Sequence, residues 1–379
     1  MYGSVLVSGV YFKCREENDH MSKISMLNHI KTIPELMKMR MNEQDDIDYV
    51  LKNVYQKDSI AIIASGSSYN AAHEIKLFAE KIFNIHVELY YPNYFLRNYG
   101  EKNIDVDKLY LFISQGGGTK SVLEAIEWIH RKGGITVSIT EKLDSPIAQT
   151  AKFSLEIGSK NEPYIFRTSG FSLTVYTLFI FIIKFAYCKE IIDKEMRNTY
   201  LAQLSELPNS VNQIITIAEQ DYAENYEKIS NYQAVFVSGA GNLWPIAREV
   251  DIKFMEMLPI ISNSFELEEI IHGPQNCFTS EMLFFFLVDE QQDYQKATSI
   301  QNFIQKEIGA FCKIISPFEK KYAFLDVENP FNPLLFITYF QVICYFFSQS
   351  KGRDLTKRIY PQIDNYIKKS VILSKKEEE

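Results

Sequence analysis

Two stretches decide the fold: SIAIIASGSSYNAA at residues 59–72 and LYLFISQGGGTKSVLEAI at residues 109–126. Each opens on a short run of aliphatic and aromatic residues, crosses a loop of Gly, Ser and Thr, and enters a segment with apolar residues at helical spacing. That is the pattern of strand, tight loop and helix, with strands expected at 59–64 and 109–113 and helices at 69–83 and 120–131. A third strand is expected at 135–139, after Gly133-Gly134. A fourth, QAVFV at 233–237, runs into Ser238-Gly239-Ala240-Gly241 and a helix expected at 245–257. Strands alternating with helices imply an α/β chain with parallel sheets and crossover helices.

The chain repeats itself across that fourth strand. Setting Gly66 against Gly241 pairs Ile62 with Val237, Ala72 with Ala247, Glu74 with Glu249 and Leu77 with Ile252. The register fits two copies of one α/β unit. The expected organisation is a helical lead-in at 1–45, with Pro34 near a helix start, a first domain at 46–205 and a second at 206–379. The boundary is expected in a polar helical region, at a turn marked by Pro208, Asn209 and Ser210.

At 379 residues, with 46% hydrophobic and 23% charged residues, the chain can bury two ordinary cores. Its net charge of −8 disfavours a nucleic-acid partner, which needs a basic surface. The five cysteines include no C-x-x-C pair and read as buried free thiols of a reducing compartment, so the chain is expected to be cytoplasmic. The six histidines show no metal-ligand spacing, and no metal or cofactor is expected. Residues 171–187 and 331–347 are apolar, but short for a span and interrupted by polar residues. They are expected to be buried helices at a domain or subunit interface, and no membrane partner is expected. Residues 1–13 lack the basic start and long apolar core of a signal peptide, and Met21 is an alternative start.

The two loops lie where open parallel sheets bind ligands, beyond the carboxyl ends of strands. Backbone N–H groups at a helix start, with Ser and Thr hydroxyls beside them, favour a phosphate. The candidates are Gly66, Ser67 and Ser68 in the first loop, and Ser114, Gln115, Gly116, Gly117 and Thr119 in the second. Loops of this composition also serve as plain N-caps and tight turns. A second constellation lies in PIAREVDIKFMEMLPIISNSFELEEIIHGP, residues 245–274. Spacings of four and three put Glu249, Lys253 and Glu256 on one helix face, which is also the pattern of an exposed ion-pair stripe. His272 before Gly273-Pro274 suits a structural turn equally well.

These motifs together resemble the isomerase half of glucosamine-6-phosphate synthase, built from two tandem SIS (sugar-isomerase) domains. The resemblance runs over about residues 25–372. That family shows G-T-S-Y and S-Q-S-G-E-T loops around a sugar phosphate. Here Ser114, Gln115, Gly117 and Thr119 match, Gly116 replaces a serine and Gly118 a glutamate. It also shows P-I-A-x-E, K-x-x-E and G-E-L-K-H-G-P, matched here by Glu249, Lys253, Glu256, Glu269 and His272, with the glycine and lysine of the last motif lost.

The resemblance implies two flavodoxin- or Rossmann-like three-layer αβα sandwiches. It makes Glu256 the base that moves a proton between sugar carbons C1 and C2. Lys253 helps position substrate, and His272 opens the ring from the neighbouring subunit of a homodimer. The family's C-terminal lysine maps to Lys369, with Lys368 beside it. In the run Arg167–Phe171, Thr168 and Phe171 match the family, whose lysine is replaced by Ser169, and Thr168 is expected near the sugar. Ser145-Pro146-Ile147-Ala148 fits the family's helix after the third strand.

About 50 residues before these motifs are too few for a cysteine-nucleophile glutaminase domain, so neither that domain nor glutamine-driven amination is expected. The implied ligand is a small phosphorylated sugar or sugar–amine adduct. The chain also resembles the shorter double-SIS fructosamine-6-phosphate deglycases, and the reaction this resemblance implies, deglycation of an amine adduct of fructose 6-phosphate, is preferred. A sugar-phosphate isomerase or deaminase, and a non-catalytic phosphosugar sensor, are the alternatives.

Overall fold

The computed structural model describes residues 25–229, 232–368 and 370–371. Cys14, Met21, Lys369 and the terminal 375–379 segment lie outside the described residues. Three helices, α1 (Met26–Ile30), α2 (Ile33–Asn42) and α3 (Asp45–Val54), precede the first sheet. There follow β1 (Ser59–Ala64), α4 (Ser67–Phe83), β2 (Val87–Tyr90), α5 (Pro92–Tyr94), β3 (Lys108–Ile113), α6 (Lys120–Arg131), β4 (Ile135–Thr140), α7 (Pro146–Thr150), β5 (Phe153–Glu156) and α8 (Ser169–Cys188). The second half holds α9 (Lys194–Ile229), β6 (Ala234–Gly239), α10 (Trp244–Met257), β7 (Ile261–Glu266), β8 (Met282–Leu287), α11 (Gln291–Phe303), β9 (Phe311–Ile315), α12 (Pro333–Ser350) and α13 (Ile363–Tyr366).

Both sheets are parallel, in the order β2-β1-β3-β4-β5 and β7-β6-β8-β9. The chain reverses direction across each sheet between its first and third strands, so a crevice opens beyond β1 and β3, and again beyond β6 and β8. The duplication expected from sequence is present in the backbone. Gly66 and Gly241, aligned there, follow the corresponding strands β1 and β6, and both take the left-handed φ that glycine tolerates, +58° and +52°. Glu74 and Glu249 fall on the corresponding helices α4 and α10, both buried.

One continuous apolar core joins the halves. It lies between the sheets and is built from α4, α8, α9, α10 and α12. Phe78 of α4, Phe179 of α8 and Phe331 before α12 meet there, with ring centroids 4.8–5.7 Å apart. Smaller clusters fill the outer faces, under α6 and α7 on the first sheet and under α11 on the second. The two apolar stretches are the buried helices α8 and α12. α8 is long and apolar enough to cross a membrane, yet 83% of that window is buried inside the protein.

Two expectations are corrected. Pro208, Asn209 and Ser210 do not turn; they lie within α9, which runs 36 residues. A proline inside a helix costs about 3 kcal/mol. Here Leu204, Leu207, Val211, Ile214, Ile215 and Ala218 recur at helical spacing and are all buried, and that packing outweighs the loss. Among the described residues the four cysteines are free, as expected, but of these only Cys312 and Cys344 are buried; Cys277 is exposed on the turn after His272.

The duplicated glutamates differ in their surroundings. Each has one oxygen without a hydrogen-bond partner, but Glu249 has Lys253 3.3 Å away and accepts from Asn70, whereas Glu74 has Asp289 as its charged neighbour. Burial first, and then Asp289, hold the Glu74 carboxyl well above its ordinary 4.5, and burial pushes Asp289 up to about 6. A carboxyl whose folded pKa is raised retains its proton in the fold, so its contribution to stability falls as pH rises above the ordinary carboxylate range. Relative to E74Q, the wild-type protein is expected to lose about 1.4 kcal/mol per pH unit over that window. Thermal melts at pH 5 and pH 8 check this; an E74Q advantage that fails to grow with pH refutes it.

Candidate functional site

The helices after β1 and β3 begin at the first crevice. At neither start does a side chain cap the helix: Gly66 precedes α4 and Thr119 precedes α6, and neither makes a cap bond. Thr119 instead pairs its hydroxyl with Ser114 Oγ at 3.0 Å. The second loop is tightly held. Gly117 N–H donates to the Ser114 carbonyl, the Gly117 carbonyl accepts from Ile147, and the Gln115 carbonyl accepts from Glu141 N–H and the Thr140 hydroxyl. Gly117 has φ +65° and backs onto Ser145, where a Cβ would stand 2.3 Å from that side chain.

Gly118 has a different reason to be glycine. The C-terminal segment folds onto the loop here: Val371 N–H donates to the Gly118 carbonyl at 2.7 Å, and Ser370 bridges Thr119. A Cβ on Gly118 would lie 2.7 Å from the Val371 carbonyl. The residue that departs from the resembled glutamate is therefore the one that admits the chain end. Lys368 is exposed beside this contact.

The Glu249, Lys253, Glu256 spacing is not an exposed stripe. Glu249 and Lys253 are fully buried, and only Glu256 reaches solvent, with its side chain 35% exposed. Lys253 Nζ lies 2.6 Å from Glu256 and 3.3 Å from Glu249. Burial by itself would favour the neutral amine, but the two carboxylates outweigh it and hold the Lys253 ammonium above its ordinary value. Burial raises the Glu249 carboxyl, against the pull of Lys253. Glu249 Oε2 also accepts from Asn70 Nδ2 at 2.9 Å. The carboxylate stripe of the second half thus reaches the first turns of α4 in the first, across a separation of 179 residues.

Other candidates fall elsewhere. Gly66 is exposed at the loop, and Ser67 and Ser68 are half-buried there. Glu269 and His272 sit on an exposed 3₁₀ turn. His272 is 59% exposed, with Glu268 3.6 Å away and no contact to Lys253 or Glu256. Thr168 is not at a surface. It is fully buried, its N–H and hydroxyl donate to Glu162 and its carbonyl accepts from Gln341, so it stands behind the loops. The Gln115 amide nitrogen donates to Glu141 and Glu162, which leaves its backbone N–H for an anion. Sequence reasoning missed Asn70, Glu141, Glu162 and His29. His29 of α1 bonds Ser169 at 2.8 Å, and burial lowers its imidazole pKa. No local spacing links these residues; only the proximity of 162 to the Arg167–Phe171 run hinted at one of them.

Residues 53–182 match the family model of the SIS domain. A glutamine–fructose-6-phosphate aminotransferase (isomerizing) of Aquifex aeolicus is 24% identical over 335 residues, covering 86% of this chain and 54% of that enzyme. The chain thus spans about half the length of the curated relatives it matches. In fold it is similar to the C-terminal domain of glucosamine-fructose-6-phosphate aminotransferase from Francisella tularensis, at a TM-score of 0.78 and 20% identity over 88% of this chain and 98% of that one. It is also similar to a glucosamine-6-phosphate deaminase from Thermotoga maritima, at a TM-score of 0.67 and 18% identity over 88% of this chain and 97% of that one.

Removing Lys253 strands a buried carboxylate. K253A is expected to cost about 3–5 kcal/mol of stability, read by denaturant unfolding. A loss under about 1 kcal/mol would mean that Glu249 needs no partner.

Proposed function

We propose that this chain, which carries an SIS domain, binds a phosphorylated sugar at the Ser114–Thr119 loop and converts it by moving a proton between C1 and C2. The observation that carries the reading is the junction of Glu249, Lys253 and Glu256 with the start of α4. The Glu249–Asn70 bond fastens the helix that carries the solvent-reachable Glu256 to α4, whose uncapped start suits an anion. Lys253 Nζ holds the Glu256 carboxylate in place from 2.6 Å, and Glu249 balances the buried ammonium. The names of the relatives, an isomerizing aminotransferase and a phosphosugar deaminase, support a sugar-phosphate substrate and C1/C2 chemistry.

The preferred substrate is an amine adduct of fructose 6-phosphate. Glu256 removes a proton from C1, giving an enaminol, and returns it to C2. The product is an imine at C1 with a hydroxyl at C2. Water adds to the imine carbon and the C–N bond breaks, releasing glucose 6-phosphate and the free amine. Ring opening falls to His272, delivered by a second copy of the chain, since in one protomer its imidazole faces solvent. Lys369 is the expected third participant.

The test is an NMR-monitored incubation with fructosamine 6-phosphates of lysine, glutamine and aspartate, glucosamine 6-phosphate, and fructose 6-phosphate with ammonia. Glucose 6-phosphate plus free amine is the expected outcome. Interconversion of the simple hexose or hexosamine phosphates alone moves the assignment to isomerase or deaminase, and binding without turnover moves it to a sensor. E256Q is expected to bind phosphosugar while losing turnover by about 10²–10⁴-fold; unchanged turnover removes Glu256 from the chemistry. Mixing inactive E256Q and H272A proteins is expected to restore part of the activity, because a mixed dimer regenerates one intact site. No recovery argues against a shared histidine.

A further inference from the structure

A buried carboxylate behind the anion loop carries an inference of its own. Glu162 lies in the segment between β5 and α8, and its side chain is completely shielded from solvent. Oε1 accepts from Thr168 N–H at 2.6 Å and the Thr168 hydroxyl at 2.8 Å. Oε2 accepts from Gly170 N–H at 3.0 Å and Gln115 Nε2 at 3.1 Å. Four donors converge on it, and every one belongs either to the start of α8 or to the anion loop.

Its backbone is fixed as well. Glu162 N–H donates to Glu141 Oε1 at 2.7 Å, and Glu141 Oε2 takes the other hydrogen of Gln115 Nε2 at 3.3 Å. Arg167, 3.8–4.0 Å from both carboxylates, offsets part of their charge. Gln341 of α12 holds the same helix start from the second half, through the Thr168 carbonyl and Ser172.

We infer that Glu162 is the positioning residue of the anion site: it clamps the Gln115 side chain to the start of α8 and so holds the Ser114–Thr119 loop in its binding shape. The inference rests on the phosphosugar reading above and assigns Glu162 no contact with substrate. The donor set requires a carboxylate. A glutamine at 162 would turn an NH₂ group toward one of two donor pairs and leave buried donors without acceptors. Gly170 confirms how closely the clamp is fitted, since a Cβ there would stand 2.0 Å from Gln115 Nε2. E162Q and G170A therefore dislodge the same amide from opposite sides, one by chemistry and one by volume.

The experiment measures the Kd of fructose 6-phosphate by calorimetry for wild type, E162Q, G170A, Q115A and the double variants E162Q/Q115A and G170A/Q115A. Thermal melts confirm that each is folded. E162Q and G170A are each expected to weaken binding about tenfold or more. Neither should weaken it further in the Q115A background, because the clamp acts through Gln115. In turnover assays the loss should appear in KM and leave kcat within a few-fold.

Additive effects in the double variants would overturn the clamp, as would folded E162Q and G170A proteins that bind like wild type. If E162Q does not fold, G170A and its double variant decide the matter alone. Wild-type protein that does not bind fructose 6-phosphate at all instead fails the phosphosugar reading, and the positioning role falls with it.

Discussion

The fully buried ion pair of Glu249 and Lys253 is the constraint around which the two halves are arranged. Two charges removed from water are tolerated only with close partners and further hydrogen bonds. Glu249 Oε2 finds Asn70 on the first turns of α4 while its Oε1 faces Lys253, and Lys253 bonds Glu256. The pair therefore needs the first half in place to be satisfied. The apolar core between the sheets makes the same demand by area, since α4, α8, α10 and α12 bury their faces against one another. Packing brings the halves together, and the ion pair fixes how they meet.

That arrangement divides the labour of the site. The first half supplies loops whose helix starts carry no side-chain caps and whose backbone is held in place by bonds from behind. The second half supplies a carboxylate that reaches solvent while its neighbours on the same helix are sealed. The second crevice carries different residues. At its equivalent of Ser114-Gln115-Gly116, after β8, stand Val288, Asp289 and Glu290, a loop whose charge repels phosphate. Glu74, the counterpart of Glu249, has no cation to pair with. One fold is used twice with different polar residues: one half carries the Ser/Gly/Thr loops, the other the helix with the solvent-reaching carboxylate.

The alternation of strand and helix was legible because strands of a parallel sheet, covered on both faces, are short unbroken apolar runs, whereas the helices repeat their apolar residues at period 3.6. The loops at 65–68 and 114–119 were legible for a related reason: glycine marks places where the backbone needs a left-handed φ or a close approach. The Glu249, Lys253, Glu256 spacing showed a shared helix face but not which face. An exposed stripe and a buried ion pair have the same spacing, and packing against α4 and α12 separates them. Pro208 misled for the converse reason. A local turn signal was overruled by burial along α9 that no local window contains.

What the sequence by itself determined is the architecture, two parallel α/β units in tandem, and the local chemistry of each loop and helix face. Only the tertiary structure decided which polar groups meet. His29, Gln115, Glu141, Glu162 and Gln341 come from separate parts of the chain and converge on the start of α8. Periodicity records which way a side chain faces within its own element. It carries nothing about the distant partner that packing brings within 3 Å, and a buried polar group is worth having only with that partner.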